Sequence, residues 1–144
     1  GAVIAVGSSQ AARERANPFS FAERKEMLER ALRAAGALDR CRIAGVPDVH
    51  NDVRWAASVQ GLGFQVAVTG NPWVKRCLRA YPQQEPALFQ PERYNATRIR
   101  NLIRAGRPWQ DLVPPTVVDQ VTSLLASGAV AITGEPEPLS TAAD

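Results

Sequence analysis

The chain has 144 residues, 45% hydrophobic and 22% charged, with a formal net charge of +3. That balance excludes a disordered chain, the apolar runs (VIAV, FQVAV) are too short to span a bilayer, and the length suits one domain with its own core. Every Lys and Arg precedes Gly134; Glu135, Glu137 and Asp144 supply three of the 14 acids, so 17 bases face 11 acids before the tail. The excess fits a polyanionic ligand, and equally an Arg-rich composition.

AVIAVGSS opens the chain as a buried parallel strand that ends in a Gly-Ser loop. After NPFS, the run SFAERKEMLERALRAAG predicts a helix. Ser20 and Glu23 form a capping box, Phe21, Met27, Leu28, Ala31, Leu32 and Ala35 make one apolar stripe, and Gly36 is the stop. CRIAGV is a second strand, PDVHND a polar loop, and VRWAASVQG a short helix. FQVAVTG is a third strand and leads into NPWVKRCLRAYP, where Asn71 suits an N-cap and Pro72 the first helical position.

PALFQ reads as a fourth, shorter strand. RYNATRIRNLIRAGR follows, with five arginines and no acid, and predicts a helix to about Ala105 capped by Asn95 or Thr97. RPWQDLVPP is a loop, PTVVDQVTSLLASG a last helix, and VAIT adds a little ordered structure. The domain is expected to span 1–133, and GEPEPLSTAAD, 134–144, is expected to be an acidic, disordered tail. Strands alternating with helices define an α/β fold: an open parallel sheet with helices on both faces, binding ligands beyond the carboxyl ends of its strands.

Cations at a helix start oppose the positive end of the helix dipole, so the 93–107 stretch raises a question of charge. An anionic ligand would answer it. Thr97 offers a hydroxyl, the first-turn amides point the same way, and an arginine fork matches phosphate oxygens. Arg98 and Arg100 cannot face one direction on a helix, so at most one grips the ligand from this turn. A solvated basic face or a nucleic-acid patch would use the same residues, although Tyr94 and Trp109 are the only aromatics near them for base stacking. Gly70 and Asn71 in TGNP allow close backbone approach or form a plain turn. Trp55 is either core or a plane for stacking on a heterocycle. Cys41 and Cys77 lack metal-ligand spacing and read as buried thiols in a reducing compartment, and His50 as a polar loop residue. With no secretory signal visible, the expected location is cytoplasmic.

Taken in order, VIAVGSSQ, NPFSFAERKEML, DVHNDVRWAASVQ, AVTGNPWVKRCL, YNATRIRNLI and WQDLVPPTVVDQV resemble the nicotinamide mononucleotide (NMN) adenylyltransferases of the archaeal type, up to about residue 126. The resemblance implies a Rossmann-like nucleotidyltransferase that joins NMN to the adenylyl group of ATP, giving NAD and pyrophosphate with Mg²⁺ assisting. It implies no membrane partner, no nucleic acid, no metal site of the protein's own, and a homo-oligomer. By position, Trp55 would stack on the nicotinamide, with Asn17, Phe19 and Asp48 shaping that pocket. Gly7 and Ser8 would pass close to the nucleotides, and Gly70 and Asn71 would lie along the adenosine. Thr97 and Arg100 match the family's Thr-x-Ile-Arg, with Arg100 on the ATP phosphates and acting in catalysis. Arg98 falls on the variable position.

One departure matters. The family opens with a strand carrying a Gly-Arg-Phe-x-Pro-like turn and a His-x-Gly-His motif, and VIAVG matches its second strand. The expectation is therefore a fold without the family's first strand, and a chain that is inactive or nearly so by itself. The alternative is a relative that binds NMN, NAD or ATP without catalysis.

Overall fold

The computed structural model describes residues 1–139. Its elements are β1 (Ala2–Val6), α1 (Phe21–Ala34), β2 (Cys41–Gly45), α2 (Asp52–Gln60), β3 (Ala67–Val68), α3 (Pro72–Cys77), β4 (Gln83–Gln84), α4 (Ala96–Arg104) and α5 (Pro115–Ala126). β1 runs parallel to β2, with Ala2 opposite Cys41 and Val6 opposite Gly45. β3 runs parallel to β4 over two residues each. The expected α/β architecture with parallel strands and intervening helices is present, but the ladders form two separate pairs.

The helix starts follow local chemistry. The Ser20 hydroxyl accepts from the Glu23 amide and the Glu23 carboxylate accepts from the Ser20 amide, so the capping box is complete. Asn51, Asn71 and Asn95 cap α2, α3 and α4 through their side-chain oxygens. Asn95 rather than Thr97 is thus the cap of the arginine-rich helix. Gly36 takes φ +69, the left-handed conformation that ends α1. Gly45 is required for another reason: a Cβ there would lie 2.9 Å from Ser9 Cβ and 3.2 Å from the Phe21 ring. The end of β2 can pack against the first loop and α1 only without a side chain.

Two sequence expectations need correction. PALFQ is not a strand; the short β4 lies before it, and Leu88 and Phe89 are exposed. Pro86 opens that run and Pro91 follows it, and proline removes a ladder donor. VAIT forms no regular element, although Val130 and Ile132 are buried. Both cysteines are free thiols, half-buried rather than buried.

Among the described residues, most of the buried apolar side chains fall into two clusters. One gathers Val46, Trp55, Ala56, Val59, Ala67 and Leu78, from β2's end, α2, β3 and the end of α3. The other gathers Trp109, Val117 and Val121 with Phe19, Met27, Ile99 and Leu102, from α1, α4, α5 and the segments just before α1 and α5. Gln120, buried on α5, donates to the Glu23 carbonyl and ties α5 to α1.

Candidate active site

The loops after β1 and β2 meet at one end of that pair. The Gln10 amide donates to Asp48 Oδ2 at 3.0 Å, and the Asp48 amide donates to Gln10 Oε1 at 2.9 Å. The Gln10 amide, then the Ser8 hydroxyl, hold the Asp48 carboxyl below its ordinary value, so it is ionised at neutral pH. Arg24, on α1, donates to the carbonyls of Gly7 and Ser8 at 2.9 Å and fixes the first loop from beneath. A Cβ added at Gly7 would meet nothing within 4 Å, which leaves open space above that turn. Ser8 (φ 48) and His50 (φ 49) are left-handed non-glycine residues on these two loops, a conformation that costs about 1–2 kcal/mol.

Asp48, Val49, His50, Asn51, Asp52, Trp55 and Trp73 line a cleft of about 140 Å³. That is close to the roughly 150 Å³ of a cavity that admits a benzene ring. The rings of Trp55 and Trp73 lie 4.6 Å apart at 55°, and the Trp73 indole N–H donates to Asp52 at 3.1 Å. The Asp52 bond orients the second indole. Trp55 is 9% exposed and packed in the first cluster, as the core alternative expects, and it also lines the cleft.

Two other candidate positions are not in this cleft's lining. Phe19 packs in the second cluster, away from the cleft lining. Asn17 is half-buried on the first loop, its carbonyl accepting from the Glu14 amide. After β3, the Thr69 hydroxyl accepts from the Asn71 amide, and Asn71 Oδ1 accepts from the Trp73 and Val74 amides, with Gly70 between them half-buried. Asn71 therefore places Trp73 at the cleft.

On α4 the arginines diverge. Arg98 donates to the Arg93 carbonyl and, with Arg93 and Arg107, lines an open cleft of about 820 Å³. Arg100 turns the other way: its Nη2 lies 3.3 Å from the Thr97 hydroxyl, and its Nε and Nη2 donate to Glu137 at 2.8 and 2.9 Å. Arg104, one turn on, also donates to Glu137. These bonds, Arg100's first, hold the Glu137 carboxyl at a pKa of about 2.

Sequence reading singled out Trp55, Asp48 and Arg100 as candidates and did not single out Gln10, Trp73, Arg104 and Glu137, which the structure places beside them. Trp73 carried one local signal, its place two residues after a capping asparagine at a strand end. The expected disordered tail begins at residue 134; of it, residues 134–139 are described and lie against α4 through Glu137, and residues 140–144 lie outside the described residues.

The mixed α/β architecture, with parallel strands and intervening helices, agrees with a Rossmann-like nucleotidyltransferase fold. No protein-family model matches the chain. It is 38% identical over 146 residues to the nicotinamide-nucleotide adenylyltransferase of Pyrobaculum neutrophilum, covering 94% of this chain and 81% of that protein. Against the enzyme of the same name from Pyrococcus abyssi it is 36% identical over 126 residues, covering 85% of this chain and 68% of that one. Its match to the Thermococcus onnurineus protein is 35% identical, covering 85% of this chain and 67% of that relative. The chain belongs to the nicotinamide-nucleotide adenylyltransferase family.

Proposed function

We propose that the protein is a nicotinamide-nucleotide adenylyltransferase, an enzyme that transfers AMP from ATP to NMN. The observation that carries this reading is the cleft lined by Trp55 and Trp73 together with Asp48, on the loop after β2, and Asp52, at the start of α2, in a chain of this family. Two indoles offer faces to a flat pyridine ring, and the ionised Asp48 favours the cationic nicotinamide base over its nicotinate analogue, whose added carboxylate it repels. Trp73 and Gln10 join the set expected from the family, Trp73 as the second aromatic wall and Gln10 as the group that holds Asp48.

In this reaction an NMN phosphate oxygen bonds to the α-phosphorus of ATP, and the bond from that phosphorus to the departing pyrophosphate breaks. The nucleophile is already an anion, so no general base is required; positioning and charge neutralisation supply the catalysis. Thr97 and the half-buried Arg100 are the groups for the ATP phosphates. Gly7, Ser8, Gly70 and Asn71 border the nucleotides with backbone and small side chains. Among the described residues no three His, Cys, Asp or Glu side chains converge, and Mg²⁺ commonly binds through substrate phosphates and water, so it fits here as ATP's own counter-ion. When bound it offsets phosphate charge.

The reading includes a homo-oligomer in the cytoplasm. The exposed Leu88 and Phe89, the latter stacked 5.8 Å from Tyr94, suit a subunit contact. Among the described residues no helix is long and apolar enough to cross a membrane. Incubating the full-length gene product with NMN, ATP and Mg²⁺ should yield NAD and pyrophosphate in equal amounts; the formation of neither would overturn the reading.

A further inference from the structure

Glu137 lies where the proposed function needs a phosphate. Its carboxylate accepts two hydrogen bonds from Arg100 and one from Arg104, and the three side chains are 10%, 16% and 4% exposed. The segment around it is held along its length. Asn101 exchanges two hydrogen bonds with the Glu137 backbone, at 2.9 and 2.8 Å. Arg104 donates to the carbonyls of Thr133 and Arg15, and Arg15 donates to those of Glu135 and Pro136. Pro136 and Pro138 flank the glutamate and reduce the freedom lost when the segment docks.

The charges do not balance. Two guanidinium groups converge on one carboxylate, leaving an excess of one positive charge in a mostly buried place. Arg100 and Arg104 are four residues apart and share a face of α4, so the pair belongs to the helix and not to the tail. The fork geometry that grips a carboxylate grips phosphate equally well, and a polyphosphate carries the charge that two arginines can neutralise.

We propose that Arg100 and Arg104 together form the seat for the ATP phosphates, and that Glu137 is an internal competitor which occupies this seat until phosphate displaces it. Arg104 is thereby a second phosphate ligand, and the 133–137 segment a strap that opens when ATP binds. The proposal rests on the nucleotidyltransferase reading for the identity of the anion.

Inorganic tripolyphosphate is the probe, titrated calorimetrically into the full chain and into Glu137→Gln and Arg104→Gln. Replacing the charged competitor by a neutral amide should tighten tripolyphosphate binding about tenfold, and Arg104→Gln should weaken it by a similar factor. NMN binding, followed by tryptophan fluorescence, should change less than twofold in Glu137→Gln. In the unmodified protein, tripolyphosphate should speed hydrogen exchange at the Glu137 amide, which Asn101 protects; this readout does not depend on the folding of any variant. Tripolyphosphate binding to Glu137→Gln that is unchanged, weaker or absent would overturn the proposal, as would a Glu137 amide that gains protection. NMN binding retained beside such a result would leave the proposed function standing. Tighter tripolyphosphate binding without any NMN binding would support the seat and remove the nucleotidyltransferase reading instead.

Discussion

Trp55 bridges the core and the cleft, so a single substitution disturbs both. Trp55→Ala would cost about 3–5 kcal/mol from lost packing alone. Trp55→Phe keeps most of that packing and removes the wider ring from Trp73. It should lower the melting temperature by a few degrees and weaken NMN binding several-fold, measured by thermal denaturation and a ligand titration. Unchanged affinity at a lowered melting temperature would make Trp55 core alone. The arginines of α4 offer a second contrast. Arg98→Gln should leave ATP affinity within about twofold, because Arg98 lines the opposite cleft, whereas Arg100→Gln should lose about tenfold or more by calorimetry. This division was legible in the sequence, because two positions two apart on a helix cannot share a face. Glu137 was not: its partners lie 37 and 33 residues earlier, and no local pattern announces a pairing at that distance.

At the scale of elements, the caps were legible and the strands less so. Capping needs only residues a turn apart, and Ser20–Glu23 and Asn71–Pro72 act in the structure as their spacing predicts. Strands depend on neighbours elsewhere in the chain, which is why PALFQ looked like β and the ladder formed at Gln83–Gln84 instead. Glu23 shows how a local motif acquires a distant partner. Besides the cap, it accepts from Arg13 at 2.6 and 2.9 Å. Arg13's bonds chiefly, then those of Ser20, bring its pKa to about 2 from an ordinary 4.5. A carboxyl whose folded pKa is depressed contributes stability above its unfolded pKa and loses it as pH falls through the folded one. The loss should therefore develop between about pH 4.5 and 2. Glu23→Gln should flatten part of that slope in urea midpoints measured against pH; Glu137, with a pKa also about 2, supplies the same sign and leaves a residual slope. At neutral pH, Ser20→Ala should cost about 1 kcal/mol. An acid slope unchanged in Glu23→Gln would mean that the Arg13 pair is too solvent-screened to matter.

At the scale of the whole molecule, the fold is organised as two interiors that share no residue. The α/β order of elements was readable because apolar periodicity marks each one. How the interiors divide was not, because periodicity gives a buried face without naming what covers it. Trp55, which lines the cleft, packs with Leu78 in the first cluster, while the second cluster carries α4 and its arginines. A protein built so should open in parts, each with its own free energy. Leu78, 3% exposed, is the test position, and Leu78→Ala should cost about 2–5 kcal/mol within the first cluster. Native-state hydrogen exchange should then show α2 and α3 losing protection while α1 and α5 keep theirs, and NMN affinity should fall further than tripolyphosphate affinity. An equal loss of protection in all four helices would show instead that the two clusters fold as one cooperative unit, and a local change at the cleft would then weaken phosphate and NMN binding together.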